Sequence, residues 1–135
     1  RTIGGGRSSA DGKFNSPNGL AFDSQGRLFV GDSGNKRISV FDRNFNFIRH
    51  FGSFGGDRIH LTIDSFDRPI VSDYGSDQLI LFDENLNQLS RFGSNGSQLS
   101  QLNGPSGVSL NQSQSTLFVC DHYNHRIQSI KLPFE

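Results

Sequence analysis

A short segment that returns along the chain restricts its fold more than any other feature. Asp32-Ser33-Gly34-Asn35-Lys36-Arg37-Ile38 and Asp121-His122-Tyr123-Asn124-His125-Arg126-Ile127 share Asp, Asn, Arg and Ile at the same relative positions. Between them, Asp73-Tyr74-Gly75-Ser76-Asp77-Gln78-Leu79 keeps the Asp and the aliphatic residue but has Ser for Asn and Gln for Arg. The steps from Asp to Asp are 41 and 48 residues, a period that belongs to repeat architectures.

Other landmarks keep the same phase. Pro17-Asn18-Gly19-Leu20-Ala21-Phe22-Asp23 precedes the first copy, Arg58-Ile59-His60-Leu61-Thr62-Ile63-Asp64 the second, and Pro105-Ser106-Gly107-Val108-Ser109-Leu110-Asn111 the third. Arg49-His50-Phe51-Gly52 and Ser90-Arg91-Phe92-Gly93 close two units, and Arg1-Thr2-Ile3-Gly4 reads as the closing strand of a unit before the first. The third unit, which runs to Leu132-Pro133-Phe134-Glu135, shows no such element. The division that follows is a closing strand at 1–4 and units at about 5–52, 53–93 and 94–135.

Each unit reads as four short strands. In the first they are Leu20 to Asp23, Leu28 to Asp32, Arg37 to Asp42 and Phe47 to Phe51, rich in aromatic and aliphatic residues and separated by turn formers. Four antiparallel strands with short turns, repeated radially, make a propeller blade. The expected fold class is all-β, a propeller segment of three four-stranded antiparallel blades, with more blades supplied by another copy or by further chain. Composition agrees: 16 Gly favour turns, and 13 Phe compensate for a hydrophobic content of only 33%. A buried Phe removes roughly 150–250 Å² from water. Phe22, Phe29, Phe41, Phe51, Phe82, Phe92 and Phe118 fall where alternation sends them between blades. The one cysteine, Cys120, sits in an apolar run and reads as a buried, inert thiol.

The pattern Pro-x-Gly-Leu-Ala-Phe-Asp, then Leu-Phe-Val-x-Asp, then Asn-x-Arg-Ile-x-x-Phe resembles the NHL repeat family, with Asn124-His125 supplying two of its name-giving letters. The resemblance covers nearly the whole chain and is weaker in the second unit, where His60 replaces Gly and Pro69 enters the second strand. It implies a propeller, usually of six blades.

The Asp and Arg of each repeat flank one tight turn, so the carboxylate can accept from both the turn and the guanidinium, and such charge-assisted bonds are the strong ones. Asp32 with Arg37 and Asp121 with Arg126 read as structural pairs. Asp73 with Gln78 is the copy in which a neutral donor replaces the cation. Carboxylates repeated once per blade suit structure, so no catalytic residue is assigned. Asn35, Asn124, Gly34 and Gly75 are assigned to turn positions with φ above zero. His50, His60, His122 and His125 are scattered poorly for a common metal site, so neither metal nor cofactor is assigned.

In a meander, the turns between second and third strands share a face with the linkers that join blades. That face would carry linkers 5 to 16, 53 to 58 and 94 to 104 and, as candidate binding residues, Arg58, His60, Tyr74, Asp77, His122, Tyr123 and His125. Mixed charge with two tyrosines suits protein contact.

Thirteen basic and thirteen acidic residues cancel, which disfavours nucleic acid as partner. No apolar run approaches the roughly 18 residues of a membrane span. Asn95-Gly96-Ser97 and Asn111-Gln112-Ser113 match the glycosylation acceptor pattern and favour an extracellular over a cytoplasmic setting, while a start at Arg1 without any Met reads as a piece of something longer. The expected function is a non-enzymatic module for contact with other proteins, including self-association through the terminal blades as a ring or filament. The alternative is a propeller hydrolase or lyase with a metal on its axis, as in the amidating lyases similar to this family.

Overall fold

The structure, a computed structural model, describes residues 1–132. The end of the third unit at 133–135 lies outside the described residues. The first sheet contains β1 (Pro17–Phe22), β2 (Leu28–Asp32), β3 (Arg37–Phe41) and β4 (Phe47–Phe51). The second contains β5 (Ile59–Ile63), β6 (Pro69–Asp73), β7 (Gln78–Phe82) and β8 (Gln88–Phe92). The third contains β9 (Pro105–Asn111), β10 (Thr116–Asp121) and β11 (Arg126–Lys131). Every sheet is an antiparallel meander in chain order, and β1, β5 and β9 touch their counterparts in the next sheet. This is the expected all-β propeller arrangement, with three blades stacked face to face.

Period-two alternation gives each blade two faces. From the first blade, Phe29, Ile38, Val40 and Phe51 meet Ile59, Leu61, Ile63, Val71, Ile80 and Phe82 of the second. The second meets the third through Ile70, Leu79 and Leu81 against Leu117, Val119 and Ile130. Each fully buried side chain of this size contributes about 1.5–3 kcal/mol. Aromatic rings fill part of the first interface, where Phe51 and Phe82 lie edge to face at 5.0 Å. At its narrow inner end a Cβ on Gly31 would stand 2.4 Å from the Ile59 carbonyl oxygen, so the two backbones can touch only because that position has no side chain. One interface further on, the equivalent residue is Ser72, and its hydroxyl donates to the Ser106 carbonyl instead.

Four expectations need correction. Phe22 and Phe118 are 59% and 39% exposed, because they lie on the outward faces of the first and third sheets, where no further blade covers them. Cys120 shares that outward face with Phe118 and is exposed, not buried. Arg1 to Gly4 form no strand and pair with none among the described residues; instead Ile3 packs near Phe14, Phe45 and Phe47 on the first blade. The left-handed residues of the repeat turns are Lys36, Asp77 and His125, with φ of 57°, 56° and 53°, one or two places after those assigned. Gly34 and Gly75 are needed for space rather than for φ: a Cβ on Gly34 would meet Asn15, and one on Gly75 would meet Gly55, each at 2.5 Å.

Candidate functional site

The face that carries the repeat turns is built from the buried aspartates upward. Asp32, Asp73 and Asp121 end β2, β6 and β10 and are all 0% exposed. Each accepts a backbone N–H from the linker that enters its own blade: from Asn15 and Gly55 at 2.7 Å, and from Asn103 at 2.8 Å. In the first and third blades a three-residue 3-10 turn follows, and its last residue, Asn35 or Asn124, folds back onto the carboxylate at 2.9 and 3.0 Å. The guanidinium then closes the clip, with Arg37 Nε 3.1 Å from Asp32 and Arg126 Nε 2.7 Å from Asp121.

The same Asn and Arg side chains also reach outward. Asn35 donates to the Ser8 carbonyl and Arg37 to those of Ala10 and Lys13. Asn124 holds the Gly96 carbonyl, and Arg126 those of Ser97, Gln98 and Gln101. Each clip therefore pins a long linker across the face. The second blade has a short linker, 53–58, with no such loop to hold, and there Asn and Arg give way to Ser76 and Gln78. Gln78 makes no bond to Asp73; its Oε1 accepts from Arg91, which reaches on to the Ser53 carbonyl. Asp73 is satisfied on one oxygen by Gly55 and Ser76, while its Oδ1 is buried without a partner. A neutral pair of Asp73 with Gln78 is thus not formed.

Of the seven residues assigned to the binding face, the turns bring four into one cluster. Tyr74 and Tyr123, from the turns of neighbouring blades, join at their tips, hydroxyl to hydroxyl at 2.5 Å, with ring centroids 6.0 Å apart. The Arg58 guanidinium lies over the Tyr74 ring at 5.1 Å, and His122 meets Tyr123 edge to face at 4.7 Å. Gly104 forms the floor, with φ of 66°; a Cβ there would come within 2.6 Å of Tyr123 and 2.9 Å of Tyr74. Asp77 fixes that floor from the second blade by accepting from Gly104 N–H at 2.8 Å and from the Asn95 side chain at 3.1 Å. The hydrogen bond to Tyr123, more than any other influence, raises the Tyr74 pKa above its usual value of 10.0.

His60 stands apart from this cluster. It is half-buried on the innermost strand β5, opposite Ser72, and its pKa is lowered first by burial and then by the Arg58 charge. His125 is exposed at the left-handed position of its turn. His50 lies on β4, 3.8 Å from Asp11. Among the described residues no three His, Cys, Asp or Glu side chains converge as metal ligands. Asn95 and Asn111 are exposed, and their amide nitrogens donate to Asp77 and Gln114. No helix among the described residues is long and apolar enough to cross a membrane.

Two further sets of turn residues escaped the sequence reading. Asp23 and Asp64 accept from the Nε of Arg27 and Arg68 at 2.6 and 2.7 Å across the β1–β2 and β5–β6 turns, a repeated Asp-x-x-x-Arg. Asp42 and Asp83 accept from two backbone N–H groups each, through a repeated Asp-x-Asn-x-Asn, and the bonds from Asn46 and Asn87 hold their carboxyls below the usual range. Both sets were visible as recurrences at blade spacing.

Three face-to-face antiparallel meanders locked by buried Asp clips define a β-propeller chain. The profile of the family described as NHL repeat matches residues 14–41 and 102–129, the two complete copies of the clip, and these two segments are NHL repeats. It is 38% identical over 55 residues to the RING finger protein nhl-1 of Caenorhabditis elegans, covering 41% of this chain and 6% of that one. It is 56% identical over 32 residues to NHL repeat-containing protein 3 of Homo sapiens, covering 24% and 9%. The matched segments thus span less than a tenth of these relatives. Among solved structures, a streptogramin B lyase superposes with a TM-score of 0.65 at 14% identity, over 88% of this chain and 41% of that one. Virginiamycin B lyase from Staphylococcus aureus gives 0.62 at 12%, over 88% and 42%. These likenesses reach the fold alone, yet they overturn the expectation that the chain is no enzyme: the same scaffold serves lyases, so a propeller of these blades carries no presumption against catalysis.

Proposed function

We propose that the chain is a protein-binding propeller module whose contact surface is the cluster of Tyr74, Tyr123, Arg58 and His122 on the turn face. The observation that carries this reading is the tyrosine pair itself: two rings from separate blades, joined at their hydroxyls over Gly104, with Tyr123 still 52% exposed. Aromatic residues beside an arginine are the side chains that most often anchor protein interfaces, because they bury much area at small entropic cost. The repeat clips support the same reading, since they fix the loops of this face and so reduce the ordering cost of binding.

The test is selection of binding peptides from a random displayed library on the folded chain. Selected peptides should lose at least about tenfold in affinity, roughly 1.4 kcal/mol, on Tyr123→Ala or Arg58→Ala, and keep it on Glu84→Ala in the β7–β8 turn. Peptides indifferent to both face substitutions would refute the assignment.

A further inference from the structure

Among the described residues, four guanidinium groups lie over aromatic rings: Arg1 over Phe45, Arg27 over Phe29, Arg58 over Tyr74 and Arg68 over Phe66. Three of them are also bonded to oxygens of the chain. Arg1 donates to the Asn44 carbonyl at 2.9 Å, Arg27 to Asp23 at 2.6 Å and Arg68 to Asp64 at 2.7 Å. Arg58 differs, because none of its side-chain donors meets an acceptor among the described residues, although the side chain is steadied at 5.1 Å from the centre of the Tyr74 ring. Even the neighbouring Asp57, which is exposed, forms no ion pair with it.

The surroundings of Arg58 are fixed and rich in donors. Its backbone N–H donates to the Gly56 carbonyl at 2.8 Å and its carbonyl accepts from Tyr74 N–H at 3.2 Å, so cation and ring are joined through the main chain as well. The Lys36 stem crosses the same linker, since a Cβ on Gly56 would lie 3.1 Å from Lys36 Cγ, and this brings a second exposed cation to it. On the other side stands the tyrosine pair. One hydroxyl donates to the other at 2.5 Å, so the pair keeps one hydroxyl hydrogen for an outside acceptor, and the internal bond makes it a stronger donor. The carboxylate of the cluster, Asp77, is occupied: one oxygen accepts from Gly104 N–H and the other from Asn95.

We propose that the partner of this face is an acidic peptide segment, whose Asp or Glu side chain is received by the open donors of Arg58 and by the spare tyrosine hydroxyl hydrogen. This rests on the reading of the turn face as a contact surface and names the chemistry that the surface selects. Any partner that covers the cluster strips water from Arg58, and a cation desolvated without an acceptor is costly. The ring contact steadies the guanidinium without giving its N–H groups an acceptor, and a carboxylate takes two of them in parallel. A neutral segment would leave those donors unmet, and a basic one would bring its charge against Arg58 and Lys36.

Peptides selected from a random displayed library on the folded 135-residue chain, then synthesised with amidated C-termini, test this. Binders that depend on Tyr123 should contain Asp or Glu. Exchange of that residue for Asn or Gln should weaken binding to the parent chain at least about tenfold. On Arg58→Gln, with β circular dichroism retained, the same exchange should change affinity by less than about twofold, because the two substitutions remove one shared contact. Tyr123-dependent binders that lack an acid, or an exchange that costs as much on Arg58→Gln as on the parent, overturn the carboxylate proposal and leave the contact surface standing. Binders indifferent to Tyr123→Ala overturn the surface and the proposal with it. Sequences that bind only with a free C-terminus, and lose nothing on exchange of their acids, overturn the side chain as the source of the carboxylate.

Discussion

Arg126 closes the third repeat turn by donating from Nε to Asp121 at 2.7 Å, while its two terminal nitrogens hold three carbonyls of the 94–104 linker. One side chain thereby joins a fully buried carboxylate to a loop that has no strand ladder of its own. Arg126→Ala should destabilise the chain by about 1–3 kcal/mol, the cost of leaving buried acceptors short of a donor. Arg37→Ala should fall in the same range. Gln78→Ala should cost less, because Gln78 bonds only to the exposed Arg91. Urea midpoints at pH 7 give the comparison, and equal midpoints for all three variants would show that the clips do not bear this load.

The two kinds of aspartate should also differ when only the charge is removed. Both oxygens of Asp121 accept, from Asn103, Asn124, Arg126 and Gln128, so Asp121→Asn turns one acceptor into a donor that faces other donors. Asp73 has one oxygen without a partner, and an amide can place its nitrogen there at no loss of an existing bond. The expectation is a loss of about 2–4 kcal/mol for Asp121→Asn and under about 1 kcal/mol for Asp73→Asn. A larger loss at Asp73 would mean that its carboxylate is held by more than Gly55 and Ser76.

Acid should weaken the fold in two stages. Burial, and then the Arg58 charge, lower the His60 pKa; burial, and then the Arg37 charge, lower that of His50. The unfolded chain, with His near 6.5, takes up these protons first, so stability present above about pH 6.5 is lost as pH falls through that region. For Asp121, burial would raise the pKa, but the bonds from Asn103, Asn124, Arg126 and Gln128 outweigh it and hold the carboxyl below its usual value. Its contribution is present above the unfolded carboxylate value of about 3.9 and is lost as pH falls below it. Urea midpoints from pH 8 to pH 3 should therefore drop from about pH 6.5 and again below about pH 4. His60→Gln should flatten the first drop and Asp121→Asn the second. A midpoint that rises between pH 7 and pH 5 would contradict the sign.

The fold was legible because the repeat is written in side chains that do local work. Asp32, Asn35 and Arg37 bond to each other and to a linker within the same unit, so their spacing survives in the sequence wherever that linker is long. The second unit departs from the pattern because its short linker, 53–58, leaves nothing for Asn and Arg to hold. What the sequence concealed depends on neighbours. Phe22 and Phe118 sit at core positions by alternation, and only the absence of an adjacent blade exposes them. Likewise, the φ above zero falls at Lys36 and His125 because the backbone N–H of that residue closes a 3-10 turn, a geometry that the composition of the turn does not announce, and it falls at the same place, Asp77, in the second blade. Tyr74 and Tyr123 were both named, but their meeting depends on Gly104 from a third segment.

That meeting can be read spectroscopically, because the chain has two Tyr and no Trp. The hydroxyl contact stabilises the neutral phenol, so in an absorbance titration of the folded protein Tyr74 should ionise above pH 10.0, its ordinary value. Tyr123→Phe removes the largest cause of that shift and should bring the Tyr74 midpoint down. Gly104→Ala should do the same without altering either tyrosine, since the added Cβ would lie 2.6 Å from the Tyr123 ring and the backbone there is left-handed. A merely local strain at Gly104 would lower the stability read from urea unfolding by about 1–2 kcal/mol and leave the tyrosine titration unchanged. Loss of the raised titration in Gly104→Ala, with β circular dichroism retained, would show that this glycine is what lets turns from two blades form one surface. An unchanged titration in Tyr123→Phe would mean that the two hydroxyls do not share a proton in solution.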